Sequence, residues 1–301
     1  MGGLVTWARV IRVRFLAASL IAVSAGLTIA YKDGSFEPLY AVVTYVGVLS
    51  LHASVDLLND YFDFVQGIDT RTVRTPFSGG TGVLTEGALA PSSVYRAGLV
   101  FLAVGIGVGV YLAIFRGPLV LPLVATASLS TYFYSTKLAN YGLGELFIAI
   151  KGMMIVLGTY YVQTLSIEIE PLFAGSLLGI LSASVLYLNE FPDYEADKAG
   201  GRKNLIVRLG REKAAALFKI FPILSYSLIL IGIWFSVLHL AALLSFIVLP
   251  LYLRNIRNLR LVSWDGARLV PLLARNALSS RTVGVIITLS YLFPAVGLLV
   301  P

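Results

Sequence analysis

The stretch LLNDYFDFVQGIDT, residues 57–70, decides the fold, because it places aspartates directly after a long run of mostly apolar residues. A bilayer core of about 30 Å needs about 20 apolar residues per helix, and windows of that kind recur along the whole chain. Of the 301 residues, 57% are hydrophobic and 13% are charged, and the mean hydropathy is +0.85. This composition excludes an ordinary water-soluble domain and predicts an all-α, polytopic membrane protein.

We expect nine transmembrane helices in one bundle that forms a single integral-membrane domain over residues 1–301. The longest non-apolar stretches, about 59–93, 191–213 and 254–281, are short enough to be connections between spans. The predicted spans are 13–31, 38–58, 94–115, 118–136, 142–163, 171–190, 214–236, 238–253 and 282–300.

The basic residues set the expected orientation, since cytoplasmic loops retain Lys and Arg. With the N-terminus in the cytoplasm, every basic residue lies on the cytoplasmic side or at its boundary except Lys32, Arg116 and Lys151. The net charge of +7 therefore indicates topology in a cell membrane, with attraction to anionic membrane lipid as a second effect. No nucleic acid partner is expected, because the charges are dispersed over several loops. The absence of cysteine from the sequence excludes disulfides, thiolate catalysis and Cys-ligated metals.

Two acidic clusters follow two of the predicted spans on the same side. The second is NEFPDYEADKAGGRKN, residues 189–204, in which Pro192 is expected to bend or restart the helix. Residues four apart share a helix face, so polar side chains spaced in this way point together. The first cluster comprises His52, Asp56, Asn59, Asp60, Asp63 and Asp69, and the second comprises Asn189, Glu190, Asp193, Glu195 and Asp197.

Clustered carboxylates at a low-dielectric boundary repel one another, and a hard divalent cation relieves the repulsion. Mg²⁺ takes oxygen ligands and is commonly held by a few carboxylates together with substrate phosphate oxygens. The two clusters therefore predict Mg²⁺ bridging a diphosphate. Solvated helix ends are the alternative explanation for any single aspartate, and His52 is better explained as a packed, hydrogen-bonding residue. Lys151, near the middle of a span, should face the bundle interior and pair with Glu145 or a second-cluster acid.

Cations in the same layer are candidate ligands of the diphosphate oxygens, with positive-inside anchoring as the competing explanation. Phosphate contact is favoured for Lys137, Arg202 and Lys203. Gly-rich segments at 78–87 and 199–210 follow the two clusters and are expected to cap the pocket. The repetition of span, acidic cluster and Gly-rich loop also suggests an internal duplication. The candidate diphosphate ligands are Asn59, Arg71, Lys137, Lys198, Arg202 and Lys203.

The motifs resemble those of the UbiA superfamily of intramembrane prenyltransferases. NDYFDFVQGID (59–69) matches the first Asp-rich motif of that family, DYEAD (193–197) matches the second, and Tyr134 with Lys137 resembles its Tyr-x-x-Lys element. Gln66 stands where the hydroxybenzoate branch has an Asp, and the spacing of Asp69 looks more like the menaquinone-forming dihydroxynaphthoate branch.

The resemblance implies a bundle with a central cavity in which two Mg²⁺ ions hold an isoprenyl diphosphate. Loss of diphosphate then gives an allylic cation that prenylates a small aromatic acceptor, as in quinone biosynthesis. A hydroxybenzoate, a tetrapyrrole or a geranylgeranylglyceryl phosphate ether lipid are the alternative acceptors. The metal ligands implied are Asn59, Asp63, Asp69, Asn189, Asp193 and Asp197, and the catalytic residues are Asp60, Tyr134, Lys137 and Asp193.

Two other classes of membrane protein compete with this prediction. An ion-coupled transporter would place its acids near the membrane midplane, whereas both clusters here lie at span ends. A CDP-alcohol phosphotransferase also uses membrane-boundary aspartates, but its spaced Asp, Gly, Ala and Arg pattern is not found in the sequence.

Overall fold

The computed structural model describes residues 2–72, 74–133, 142–262, 264 and 266–293. These residues are helical or irregular, with no β-strand among them. The helices are, in chain order, α1 (Gly2–Val10), α2 (Leu16–Lys32), α3 (Pro38–Val65), α4 (Pro91–Arg116), α5 (Val120–Phe133), α6 (Gly144–Thr164), α7 (Ile169–Asn189), α8 (Tyr194–Ala199), α9 (Leu205–Leu209), α10 (Arg211–Leu217), α11 (Ile220–Trp234), a 3₁₀ helix (Leu240–Val248), α12 (Leu249–Leu261) and α13 (Gly266–Ser290).

The long apolar helices make this a membrane protein. Within the described ranges, 6 helical segments are long and apolar enough to cross a membrane: α3, α4, α6, α7, Arg211–Trp234 and Leu240–Leu261. Each of them overlaps a predicted span. Two shorter apolar helices, α2 and α5, coincide with the first and fourth predicted spans. The all-helical architecture is thus confirmed, and the count of nine spans stays a prediction.

The stretch 254–281 differs from its prediction as a simple connection, because α12 and α13 occupy most of it. Leu269, Leu272 and Leu273 are buried at helical spacing, whereas Arg268 on the same helix is exposed. A window average of hydropathy is lowered by such arginines, although the apolar side chains still form one continuous buried face. The last helix of the described part of the chain, α13, therefore begins well before the predicted ninth span.

Two helix pairs make the most extensive contacts in the described structure: α6 with α7, and α3 with α4. The backbones of α6 and α7 touch at glycines: a Cβ on Gly152 would lie 2.6 Å from the Cα of Gly179, and one on Gly179 would collide with the carbonyl of Ala149. Small residues at a membrane helix crossing allow this close approach. The contact packs the middle of α7 against α6, and the second acidic cluster continues from the end of α7.

The second cluster begins where α7 ends, and α8 restarts the helix at Tyr194, as Pro192 predicted. Phe191 in this break is fully buried and stacks on Trp264 with ring centroids 5.6 Å apart. The Tyr187 hydroxyl donates a hydrogen bond of 2.8 Å to the carbonyl of Ala214. Aromatic packing and this hydrogen bond therefore hold the acidic segment in place.

We expect Gly179→Ala to destabilise the protein in detergent by about 1–3 kcal/mol, since its methyl group meets backbone that cannot rotate away. Gly107→Ala in α4 is the matched control, because a Cβ there meets nothing within 4 Å. It should be neutral or stabilising by up to about 1 kcal/mol through helix propensity. Thermal unfolding of both purified variants checks this, and equal melting temperatures would contradict the α6–α7 contact.

Candidate active site

The two acidic clusters meet at one cavity of about 300 Å³. The first cluster reaches it from α3 and the following loop, and the second from the α7–α8 break and α8. Asn59 and Asp63 share a helix face as predicted, and the Asn59 amide donates to Asp63 Oδ2 at 3.0 Å. The acidic and amide side chains that line the cavity are Asp56, Asn59, Asp63, Asp69, Asn189, Glu190, Asp193, Asp197 and Asn204.

Arg202 joins the two clusters across the cavity. Its guanidinium forms an ion pair with Asp63 on α3 and lies 3.5 Å from Asp197 Oδ1 on α8. The other oxygen of Asp197 accepts a hydrogen bond of 2.8 Å from the Asn204 amide. Arg202, one of the predicted diphosphate ligands, therefore lines the cavity, and its guanidinium lies between acids of both clusters.

The Gly-rich loop after the first cluster closes one wall of the cavity, in which Ser78, Gly79 and Gly80 are lining residues. The Gly79 N–H donates to Asp193 Oδ2 at 3.2 Å, so the loop that follows the first acidic cluster binds an acid of the second cluster. Gly80 has a φ of +70°, and a Cβ there would collide with the carboxylate of Asp69. Glycine is required at this position for both reasons.

Asp60 lies behind this loop and does not line the cavity. It is 1% exposed, and its Oδ1 accepts hydrogen bonds from Arg12 Nη2 at 2.9 Å and from the Thr81 N–H at 3.1 Å. The Thr81 hydroxyl donates to Oδ2. These contacts give Asp60 a positioning role, attaching the loop and the N-terminal segment to α3, in place of the direct contact with reactants that the sequence suggested.

The acids outside the membrane helices are held in an environment that disfavours their charge. Burial, together with the charges of Asp63 and Asp60, raises the pKa of Asp69 to about 7. Burial raises the pKa of Asp197 to about 6 although Arg202 opposes it. Burial and the charge of Asp197 raise the pKa of Asp193 well above its usual range. Each carboxylate would gain from an additional cation.

The donor set fits Mg²⁺. Several buried oxygens beside the two motifs accept no hydrogen bond from the described residues, namely Asn189 Oδ1, Glu190 Oε2 and Asp193 Oδ1. All three belong to side chains that line the cavity. No group of three His, Asp or Glu side chains in the described part of the chain could hold a metal ion by itself. This arrangement suits an ion that keeps water and shares oxygens of a bound phosphate.

Several predicted residues lie elsewhere. Arg71 Nη1 is 3.5 Å from the carbonyl of Ala199, Lys198 lies over the ring of Tyr194, and Lys203 is exposed. None of these three cations lines the cavity, since a positive charge at the membrane boundary does not fix where a long side chain points. Tyr134 and Lys137 lie outside the described residues.

Three basic residues at the cavity, Arg12, Lys151 and Arg281, were not among the site residues predicted from the sequence. Arg12 lines it while bonded to Asp60, and it was indistinguishable from the other arginines expected at the cytoplasmic boundary. Lys151 also lines the cavity, together with His52. The location of Lys151 in the middle of an apolar span was a signal, and the expected interior orientation is confirmed. The expected ion pairs of Lys151 with Glu145 or a second-cluster acid are not found among the described residues, where Asp56 is the acid whose charge acts on it.

Comparison with known proteins identifies the same family by its sequence model and by individual relatives. The sequence model of the UbiA prenyltransferase family matches residues 19–267. The 1,4-dihydroxy-2-naphthoate octaprenyltransferase of Mycobacterium tuberculosis is 29% identical over 293 residues, which cover 93% of this chain and 94% of that protein. The enzyme of the same name from Escherichia coli is 28% identical over 217 residues, 69% of this chain and 70% of that protein.

Solved structures share the fold. A UbiA homolog from Archaeoglobus fulgidus bound to GPP and Mg²⁺ superimposes with a TM-score of 0.58 at 16% identity, covering 94% of this chain and 99% of that one. The apo structure of a UbiA homolog from Aeropyrum pernix K1 gives a TM-score of 0.67 at 15% identity, covering 90% and 97%.

Divalent-metal affinity should fall steeply with acidity, because the metal requires ionised carboxylates while the pKa of Asp69 is about 7 and that of Asp197 about 6. We expect Mn²⁺, as a spectroscopic substitute for Mg²⁺, to bind at least about tenfold more weakly at pH 5.5 than at pH 7.5. Without metal, the free energy of unfolding changes with pH in the opposite direction. Unfolding returns both groups to a pKa near 3.8, so the metal-free protein loses stability as pH rises from about 4 to 7. Electron paramagnetic resonance titrations check the affinity, and a flat pH profile would contradict the site.

The role of the Gly-rich loop in metal binding can be tested with two substitutions that impose the same backbone strain. Gly80→Ala adds a methyl group against the Asp69 carboxylate, whereas Gly87→Ala, at a φ of +69°, meets nothing within 4 Å. Both cost about 1–2 kcal/mol of left-handed strain. We expect Mn²⁺ affinity in the presence of inorganic diphosphate to fall about tenfold or more in Gly80→Ala alone. Equal affinities in the two variants would remove the loop from the site.

Proposed function

The chain belongs to the UbiA prenyltransferase family, and from that premise we propose that it transfers an isoprenyl group from a polyprenyl diphosphate to a dihydroxynaphthoate in quinone biosynthesis. The protein is a membrane prenyltransferase; the substrates, the site residues and the single-domain, nine-span bundle are parts of the proposal. We place the N-terminus and the acidic end of the cavity on the cytoplasmic side.

The observation that carries the proposal is the two-part character of the cavity. Acids and amides from α3 and from the α7–α8 segment face each other at one end, with Arg202 between them. The remaining lining is mostly apolar and includes Phe15, Ile21, Phe147, Ile155, Leu178 and Leu181. A substrate with a charged diphosphate head and a hydrocarbon tail matches both parts at once.

The acid end would hold Mg²⁺, and we propose two ions, as the resemblance implies. The residues that would hold them are Asn59, Asp63, Asp69, Asn189, Asp193 and Asp197. When bound, Mg²⁺ supplies positive charge to the diphosphate oxygens and stabilises the negative charge of the leaving group. Arg202 would then donate from its guanidinium to those oxygens, which are better partners than carboxylates already shared with metal.

The transfer itself requires separation of charge at the allylic carbon. The C–O bond breaks, and its electron pair leaves with the diphosphate. A carbon of the acceptor ring then bonds to the allylic carbon and loses the group that it carried: either a proton, which passes to a carboxylate at the acid end of the cavity, or a carboxylate group, which leaves as carbon dioxide. Phe15 and Phe147 offer aromatic faces that stabilise a carbocation, and the apolar lining keeps out the water that would quench it. We retain Asp193, Tyr134 and Lys137 as candidate catalytic residues, with Asp60 holding the loop.

The acceptor is the finer part of the proposal. Support comes from the relatives named 1,4-dihydroxy-2-naphthoate octaprenyltransferase and from the spacing of Asp69 in the first motif. A hydroxybenzoate, a tetrapyrrole and a geranylgeranylglyceryl phosphate remain alternatives, because motif residues bind the diphosphate that all these reactions share.

The test is a mass-spectrometric assay of the purified protein with geranylgeranyl diphosphate, Mg²⁺ and each acceptor in turn. We expect a prenylated product from 1,4-dihydroxy-2-naphthoate, and a fall in rate of roughly 10²–10³-fold or more in Asp63→Ala and in Asp193→Ala. Glu195→Ala is the matched control from the same motif, because that side chain is 70% exposed and pairs with Arg211. Product from another acceptor alone would reassign the substrate, and full activity of either aspartate variant would refute the site.

A further inference from the structure

A second group of polar side chains lines the cavity away from the metal-binding acids. It consists of Ser19, His52, Asp56 and Lys151, contributed by α2, α3 and α6, and we call it the inner polar pocket. Ser19 Oγ and His52 Nδ1 are 2.7 Å apart, and His52 Nε2 lies 3.7 Å from Asp56 Oδ2. These contacts fix the histidine ring while leaving the carboxylate oxygen without a hydrogen bond from the described residues.

The inner polar pocket lies deeper in the bundle than the acid end. His52 precedes Asn59 by about two helical turns, which corresponds to about 10 Å along α3. Lys151 is about two turns inside α6 from Gly144, and its charge acts on both His52 and Asp56. A compact molecule in the cavity could therefore contact the inner polar pocket with one end and the diphosphate region with the other.

Lys151 has an amino group whose charged form the described residues compensate only weakly, because burial acts against it and Asp56 alone favours it. Asp56 is the acid whose charge acts on Lys151, but within the described structure the two side chains form no ion pair or hydrogen bond with each other. A cation on a membrane helix is costly unless it has a partner, and such residues usually face a ligand or an ion path. The arrangement is an amino group on α6 and, on α3, a carboxylate oxygen without a hydrogen bond from the described residues, and both side chains line the cavity.

We propose that Lys151 is a positioning residue that binds the acidic substituent of the aromatic acceptor, so that the enzyme selects aromatic acids over neutral rings. This inference rests on the proposed prenyl transfer and adds the acceptor's location and its required charge. The Lys151 ammonium pairs with the carboxylate of the acceptor, and Asp56 Oδ2 accepts the hydrogen bond of a neighbouring ring hydroxyl. The ring then lies between the inner polar pocket and the diphosphate.

Selectivity follows from the same groups. An acceptor without a carboxylate leaves the buried ammonium without a partner and adds the cost of excluding water from it. An acceptor without a hydroxyl leaves Asp56 Oδ2 unsatisfied. Discrimination through unpaired buried groups is stronger than discrimination by the size of an apolar pocket.

Equilibrium binding to the full-length purified protein tests the proposal without turnover. The probes are 1-hydroxy-2-naphthoate and its methyl ester, measured with Mg²⁺ and inorganic diphosphate present at pH 7.5. We expect the wild-type protein to bind the acid at least about tenfold more tightly than the ester. Lys151→Met should abolish this preference by weakening binding of the acid, while Lys151→Arg should retain most of it.

The control variant is Lys219→Met, which removes an exposed lysine outside the cavity and should keep the wild-type preference. Melting temperatures establish that each variant is folded. Equal binding of acid and ester by the wild type, or an unchanged preference in Lys151→Met, would overturn the proposal.

Kinetics separate this proposal from the proposed function. Where product forms, Lys151→Met should raise the KM for the acidic acceptor about tenfold or more and leave the KM for the prenyl diphosphate unchanged. A proportional change in both constants would show a structural role for Lys151 and overturn the proposal. If the wild type prenylates no acceptor, the proposed function fails, and the binding preference still decides the role of Lys151.

Discussion

Repulsion among buried carboxylates at one end of the cavity is the constraint on which the rest of the structure depends. Two guanidinium groups balance it, Arg12 against Asp60 and Arg202 against Asp63 and Asp197. Each pair joins segments that are distant in sequence. These ion pairs tie the N-terminal segment to α3, and α3 to the loop after α8. Backbone N–H groups of the Gly-rich loop complete the assembly through Gly79 and Thr81.

Much of this site could be predicted from the sequence, because helix periodicity fixes which side chains share a face and basic loops fix which helix ends share a side. Those two rules sufficed to bring Asp63 and Asp197 to one cavity. They could not separate Asp60 from its neighbours, since its partners Arg12 and Thr81 approach over a loop whose path depends on contacts between distant residues. Nor could they rank Arg202 above Lys198, because a flexible cation carries no periodic signal.

The fold was predictable to a similar extent and for related reasons. Long apolar windows identified the membrane helices, but averaging concealed α13, where arginines alternate with a buried leucine face. The close contact of α6 with α7 required knowledge of which glycines meet, and sequence alone gives glycine many possible roles. The cavity follows from both: tight helix pairs on either side leave a space between them, apolar along most of its length and polar where the helix ends and Lys151 face it.

The two arginine pairs also differ in when they can form during synthesis of the chain. Arg12 precedes Asp60 by 48 residues, so its charge is already present when α3 leaves the ribosome. Arg202 follows Asp63 by 139 residues and becomes available only after α4 to α8 have been made. Asp63 must therefore enter the membrane boundary before its partner exists, whereas Asp60 enters with its partner at hand. Biogenesis of this protein thus begins with a half-neutralised acidic helix end, and insertion of the later helices completes both the charge balance and the site.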